Sequence, residues 1–174
     1  GLVGSEMCIR DSAEVIKVEW PQNMDMLRQN RFTVPEGVEP GPNSTGQFAD
    51  TNANKRGITC NIVDPEGRDL FLRLVELADF VIDTAPPGMM DQLSLGYANL
   101  SAVNPAIVHS SITPFGQSGP YANWRGSDLI GAAMGGQMYL NGDPQREPLR
   151  PTVSQAYAQA SLQATVGMMI AHFH

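Results

Sequence analysis

The sequence of 174 residues holds few basic residues and few cysteines. Lysine and arginine number 11 against 18 acidic residues, which gives a formal net charge of −7. Phosphate backbones are bound by clustered Lys and Arg, and no such cluster is visible, so we expect no nucleic-acid partner. No apolar run approaches the roughly 20 residues that span a bilayer, so we expect a soluble protein without a membrane segment.

The first twelve residues lack the long apolar centre and the small-residue cleavage site of a signal peptide. Their sequence, GLVGSEMCIRDS, resembles the translation of a transposon adapter used in sequencing libraries. We interpret 1–12 as a non-native adapter-like segment and 13–174 as the native part; an irregular native N-terminus is the alternative. The far end is equally abrupt, because the Ala-rich helix predicted over 156–174 has no Gly or Pro terminator. We expect a chain truncated at both ends.

Without residues 1–12, Cys60 is the only cysteine. A lone cysteine excludes a disulfide framework and a paired-cysteine metal site, so we expect no metal. A reducing cytoplasm is the natural compartment for such a chain. Cys60 lies in an apolar run, which favours a small core residue over a nucleophile.

The remaining pattern predicts strands that alternate with helices. Short β-branched or apolar runs predict strands at 13–19, 57–63, 79–83 and 106–112. Alternation of this kind favours an α/β fold with a parallel sheet. Residues 20–50 are rich in proline and show little periodicity, which indicates a long surface excursion.

One helix start is well marked. Asp64, Pro65 and Glu66 supply a capping acid, a proline at the first helical position and an acid in the first turn. The apolar stripe that follows, from Leu70 to Ala78, has the spacing that packs against a sheet. In parallel sheets ligands bind beyond the carboxyl ends of the strands, here 83–88 and 113–128. No dinucleotide, P-loop, zinc-protease or serine-hydrolase motif occurs.

Five segments, in order, resemble the N-terminal half of class III (CaiB/BaiF-type) coenzyme A transferases. They are AEVIKVEWP, FADTNANKRGITCNI with DPEGRDLF, LADFVIDTAPPGMMDQLSLGYANL, NPAIVHSSITPFGQSGPY and GSDLIGAAMGGQMYLNGDP. The resemblance runs from 13 to 142, with a weaker continuation to the C-terminus. It implies an incomplete large domain with a Rossmann-like parallel sheet and flanking helices. It also implies two interlocked chains, as a homodimer or as a heterodimer with a homologue.

The resemblance further implies transfer of coenzyme A (CoA) from an acyl-CoA donor to a carboxylic acid. In the family, an Asp carboxylate attacks the donor thioester, and the resulting mixed anhydride becomes an aspartyl-CoA thioester. The matching position here is Tyr157, and no acid occurs after Glu147. Tyr157 therefore marks the nucleophile position without supplying the acid; an aromatic ring packed at a helix start is the alternative. Asp128 is the other candidate acid; it lies at the start of a predicted helix, and capping that helix is its ordinary role.

Three readings follow from the missing acid. The first is a CoA transferase represented by an incomplete chain; a divergent form of it would take its acidic group from elsewhere, such as Asp128 or the absent C-terminal half. The second is a non-catalytic CoA-binding subunit that pairs with an active homologue. An acyl-CoA racemase is disfavoured, because the His that the related racemases use is replaced by Ser127 and the partner Asp is the same missing one.

The resemblance assigns CoA contacts to two residues along the predicted strand 57–63 and to three residues in the turn after the predicted strand 79–83. They are Cys60, Asn61, Thr84, Ala85 and Pro86. Arg125 matches a basic residue that helps to hold a phosphate. Trp20 and Gln92 stand at two other basic positions, which puts some phosphate contacts in doubt, since charge-assisted hydrogen bonds are the stronger kind. His109, in a largely apolar strand, is predicted to be a core histidine with satisfied hydrogen bonds.

Overall fold

The computed structural model describes residues 13–29 and 34–174. The interpretation of 1–12 as an adapter-like segment therefore lies outside the described residues. The chain divides into two compact units, one ending at Phe71 and the other beginning at Leu72. Four strands are described, and they form two parallel pairs, one in each unit.

The first unit builds its sheet from β1 (Ile16–Glu19) and β2 (Arg56–Thr59). β1 falls within the predicted run 13–19, whereas β2 begins one residue before the predicted run 57–63. In the parallel register Val18 lies opposite Ile58. β2 ends earlier than predicted because the Asn61 side chain turns the backbone: its Oδ1 accepts the Val63 N–H at 3.2 Å.

The predicted surface excursion contains two short elements that the sequence pattern did not indicate. They are a 3-10 helix, Met26–Gln29, and α1, Gly46–Thr51. Arg28 joins them to β1, because its guanidinium pairs with Glu19 at 2.8 Å and lies 3.7 Å from the centre of the Phe48 ring. These contacts link residues that are distant in sequence, and so no local pattern announces them.

The marked helix start is confirmed: α2 spans Pro65–Val75. Its last residue, Val75, is buried, as the predicted stripe requires. Leu70 is 44% exposed, so the prediction that it is buried with the rest of the stripe is wrong. The reason is local, because Leu70 lines an open cleft beside the end of β2.

The second unit contains β3 (Phe80–Asp83) and β4 (Val108–Ser111), paired in parallel. Two helices connect them, α3 (Met89–Gln92) and α4 (Tyr97–Val103). Among the described residues of this unit, the largest fully buried side chains are Leu95, Leu100 and Val75. An alternation of short strands and helices was expected here, and the structure confirms it.

Three further helices complete the second unit: α5 (Asp128–Met134), α6 (Gln137–Leu140) and α7 (Gln155–Phe173). α7 contacts both α5 and β4. Within the part of the chain that the structure describes, no helix combines the length and apolar character needed to cross a membrane. The predicted α/β class, with parallel strands and flanking helices, is confirmed.

Candidate functional site

The turn after β3 is built by a single carboxylate. Asp83 Oδ1 accepts the N–H of Ala85 at 2.9 Å, which bends the chain at Thr84. The turn then closes at Pro86, whose carbonyl accepts the N–H of Met89 at 3.0 Å. Thr84, Ala85 and Pro86 therefore lie at the carboxyl end of a parallel strand, the position that such sheets use for ligands.

The other oxygen of Asp83 faces the neighbouring strand. Asp83 Oδ2 lies 2.7 Å from His109 Nε2 and accepts the Ser111 hydroxyl at 2.6 Å. Burial alone raises the pKa of Asp83, but the hydrogen bonds from His109, Ser111 and Ala85 outweigh burial and hold this pKa below its usual value. An ionised carboxylate only accepts, so His109 Nε2 carries a proton toward it. The prediction of a satisfied core histidine is confirmed.

The first unit has an open cleft of about 700 Å³ between the end of β2 and the start of α2. Cys60 and Asn61 line it, together with Asp64 and Gly67. Cys60 is 5% exposed, its Sγ donates to the Gly67 carbonyl at 3.1 Å, and burial raises the pKa of its thiol. The thiolate is therefore disfavoured, and the predicted small core residue is confirmed.

Asp128 and Tyr157 are brought together by the packing of α5 against α7. The backbone N–H of Tyr157, in the first turn of α7, donates to Asp128 Oδ1 at 3.0 Å. Asp128 is 8% exposed, and among the described residues its Oδ2 is buried without a hydrogen-bond partner. The expectation that Asp128 caps its own helix is wrong, because Ser127 does so: its Oγ accepts the Ile130 N–H at 3.3 Å.

Tyr157 is not an acid, but the carboxylate of Asp128 lies beside it. The Tyr157 side chain is 51% exposed, which does not fit the alternative of a ring packed at a helix start. The carboxylate of Asp128 stabilises the positive end of the α7 dipole, a favourable place for an anion. As a nucleophile it would need its buried Oδ2 to become reachable.

Arg125 lies in the exposed segment before α5. Throughout 13–29 and 34–174, no carboxylate lies within salt-bridge distance of Arg125. Beside it the rings of Tyr121 and Trp124 lie 4.6 Å apart, centre to centre. Such an uncompensated guanidinium suits a phosphate. No group of three potential metal ligands occurs among the described residues.

The predicted site residues fall into separate groups. Cys60 and Asn61 belong to the first unit, whereas the turn 84–86, Arg125 and the Asp128–Tyr157 contact belong to the second. Sequence reasoning missed the bond between Asp83 and His109. A signal was available, since His109 and Ser111 are two residues apart in a predicted strand and so share one face.

The known proteins to which this chain is similar include CoA transferases. A family model described as CoA-transferase family III matches residues 12–174. The chain is 36% identical, over 92% of its length, to the succinyl-CoA:(R)-benzylsuccinate CoA-transferase subunit BbsE of Thauera aromatica, of which it covers 38%. It is 35% identical, over 88% of its length, to the succinate–glutarate CoA-transferase of Agrobacterium fabrum, of which it covers 40%.

A solved structure also matches closely. The CAIB/BAIF family protein from Brucella suis superposes with a TM-score of 0.82 and 38% sequence identity, over 97% of this chain and 44% of that one. The chain thus spans about two fifths of the length of the curated relatives that it matches.

Proposed function

Because this chain belongs to CoA-transferase family III, we propose that the full-length protein moves CoA from an acyl-CoA donor to a carboxylic acid acceptor. The observation that carries this proposal is the 36% identity, over 92% of the chain, to a protein named as a CoA-transferase subunit. CoA takes part as a substrate, and the proposed reaction involves no metal.

We propose that the turn 84–86 contacts CoA and that Arg125 binds one of its phosphates. Three features support this assignment: the turn lies at a strand's carboxyl end, Asp83 holds its backbone at 2.9 Å, and Arg125 is exposed. Cys60 and Asn61 would line a second contact region in the first unit. Since the Cys60 thiol is buried, it would contribute packing and backbone contacts rather than covalent chemistry.

The proposed chemistry needs a carboxylate nucleophile. The carboxylate attacks the donor thioester carbonyl, the CoA thiolate leaves, and a mixed anhydride forms. The thiolate then attacks the enzyme's own carbonyl in that anhydride and releases the donor acid, leaving an enzyme-bound CoA thioester. The acceptor acid repeats both steps in reverse. In this chain Asp128 is the candidate for that carboxylate, because it reaches the first turn of α7 at Tyr157.

A second candidate function is a non-catalytic CoA-binding subunit paired with an active homologue. The specific observation in its favour is that Asp128 is 8% exposed and is already used to cap α7, while Tyr157 carries no acid. The Thauera relative is itself named as a subunit. We propose a homodimer or a heterodimer, and exposed apolar residues of α7 such as Val166 and Ile170 support an interface.

We also propose a cytoplasmic location. Within 13–174, Cys60 is the one cysteine of the sequence, and it is a free, buried thiol. Such cysteine usage is typical of a reducing compartment.

The test uses full-length protein, succinyl-CoA and labelled dicarboxylic acids, with labelled acyl-CoA as the product measured and CoA affinity measured by calorimetry. Asp128→Asn keeps an acceptor for the Tyr157 N–H but removes the carboxylate nucleophile. Tyr157→Phe removes only the phenolic hydroxyl and keeps the ring. Exchange that survives in Tyr157→Phe and falls at least about 10³-fold in Asp128→Asn would support Asp128 as the nucleophile.

Other outcomes of the same experiment distinguish the active transferase from the non-catalytic CoA-binding subunit. CoA binding without exchange in the wild type would favour the non-catalytic subunit, and addition of the partner chain should then restore exchange. If the wild type neither binds CoA nor exchanges it with any partner, the proposed function is wrong.

A further inference from the structure

We propose that Asp83, His109 and Ser111 form a positioning network that holds the backbone turn 84–86 in the conformation that binds CoA. This inference rests on the proposed function, because it assumes that the turn contacts CoA. The three residues are not part of the carboxylate chemistry proposed around Asp128.

The geometry of the Asp83 carboxylate carries the argument. One oxygen accepts the Ala85 N–H at 2.9 Å, while the other accepts from Ser111 at 2.6 Å and lies 2.7 Å from His109 Nε2. Both of these partners belong to β4, and Asp83 lies opposite Ser111 in the parallel register. The side chain that bends the turn is therefore fixed in rotation by the neighbouring strand.

The same geometry excludes a proton relay through the imidazole. In a relay, the two ring nitrogens face different partners, an acid on one side and a hydroxyl on the other. Here His109 Nε2 faces both groups, with Ser111 Oγ at 3.3 Å. The Ser111 hydroxyl donates directly to the carboxylate and is not activated by the ring. The network holds atoms in place and does not transfer protons.

The link to binding follows from conformational populations. Asp83 and His109 are largely buried, with side-chain exposures of 11% and 8%. When a buried carboxylate loses a hydrogen-bond donor, it rotates toward another donor, because a buried charge without a partner costs free energy. Rotation of Asp83 would release the Ala85 N–H and let the turn adopt other conformations. Apparent CoA affinity would then fall in proportion to the fraction of molecules that keep the competent turn.

The experiment compares two neighbouring serines of β4 in the full-length protein. Ser111→Ala removes one donor to Asp83, and Ser110→Ala removes a hydroxyl from the adjacent position, whose side chain points to the opposite face. We expect the dissociation constant for CoA, measured by calorimetry, to rise roughly five- to tenfold in Ser111→Ala, the scale of one lost hydrogen bond. Ser110→Ala should stay within about twofold of the wild type, and Ser111→Thr should recover the affinity.

Amide hydrogen exchange gives a readout that a merely structural role would not move. Exchange at Ala85 should accelerate in Ser111→Ala while exchange elsewhere in β3 and β4 stays unchanged. A second pair of variants guards against poor folding of the first. His109→Gln retains a donor near Asp83 and His109→Leu does not, so only the leucine variant should bind CoA more weakly.

The outcomes separate this proposal from the proposed function. If the wild type binds CoA and Ser111→Ala matches Ser110→Ala, the network is wrong and the CoA proposal stands. Equal affinity in the two His109 variants would overturn it in the same way. If the wild type does not bind CoA, the proposed function fails and this inference fails with it.

Discussion

Asp128 reaches beyond its own helix to the first turn of the next long one, where its Oδ1 accepts the Tyr157 N–H at 3.0 Å. Ser154, the residue that precedes α7, makes no capping hydrogen bond with its own side chain. A carboxylate supplied from α5 therefore takes the place of a local cap. This arrangement joins two helices through one side chain and connects the candidate acid to the stability of the fold.

Removing that cap should destabilise the protein. In the full-length chain, Asp128→Ala should lower the free energy of unfolding by about 1 kcal/mol, the usual cost of a lost cap. Asp128→Asn should cost less, because its amide oxygen can still accept the Tyr157 N–H. Urea unfolding measures both variants, and equal stability of Asp128→Ala and the wild type would rule out the capping role.

Asp83 should make stability depend on pH in the acid range. Its folded pKa is lowered, so the stabilisation is fully present above the unfolded value of about 3.9 and is lost as pH falls through the lower folded value. The midpoint of thermal unfolding, followed from pH 7 to pH 2.5, should therefore decline less steeply below pH 4 in Asp83→Asn than in the wild type. Asp79→Asn, an exposed change just before β3, is the control. Parallel curves for wild type and Asp83→Asn would contradict the assignment.

At the scale of elements, the segment between β1 and β2 depends on charge pairs for its position. Arg28 binds Glu19 through two bonds, from Nε at 3.0 Å and from Nη2 at 2.8 Å. Lys17 binds Asp25 at 2.6 Å. All four side chains are mostly shielded, with exposures of 11–22%. These pairs attach the 3-10 helix Met26–Gln29 and the residue before it to the strand.

Losing the two-bond contact should loosen that segment. Arg28→Lys keeps the charge but cannot form the planar fork, so we expect a loss of roughly 1 kcal/mol and faster proteolysis between 20 and 50. The matched control is Arg56→Ala, which breaks a pair with Glu14 whose side chains are 75% and 60% exposed. Exposed pairs contribute little, so this control should be cleaved at the wild-type rate. Equal cleavage of Arg28→Lys and the wild type would refute the prediction.

At the scale of the whole molecule, α7 exposes an apolar surface that affects stability and assembly. Its exposed large residues are Tyr157, Leu162, Val166, Met169, Ile170 and Phe173. A helix that is apolar on all sides is normally buried. Each unit also contains only a two-stranded parallel sheet among its described residues, and parallel sheets are normally covered on both faces.

We therefore expect residues 13–174 to fold poorly when produced alone. Their thermal transition should be broad, and they should bind a hydrophobic dye strongly, whereas the full-length protein should unfold sharply and bind little dye. A sharp, cooperative transition in the isolated segment would contradict this prediction. Val166→Glu in the full-length protein provides a second test, because it should lower the dimer fraction in size-exclusion chromatography if α7 forms an interface.

Local sequence patterns were sufficient wherever the determining interactions are local. The start of α2 follows from Asp64, Pro65 and Glu66, and the turn 86–88 follows from its proline and glycine content. The strand runs were correctly located because β-branched residues favour extended backbone regardless of their partners. Membership of the family could also be predicted from the sequence, because five segments resemble the family's and occur in the same order.

Only the tertiary structure decided which side chains meet. Asp83 and His109 are 26 residues apart, and Asp128 and Tyr157 are 29 apart, so their hydrogen bonds depend on strand register and helix packing. Leu70 fits the apolar stripe of α2, yet it lines an open cleft, because burial depends on what packs opposite. The sequence by itself determined the four strand regions, the start of α2 and the family, but not the two short helices between β1 and β2. Tertiary packing determined where each carboxylate finds its donors, because side chains far apart in the chain are brought together only by the fold.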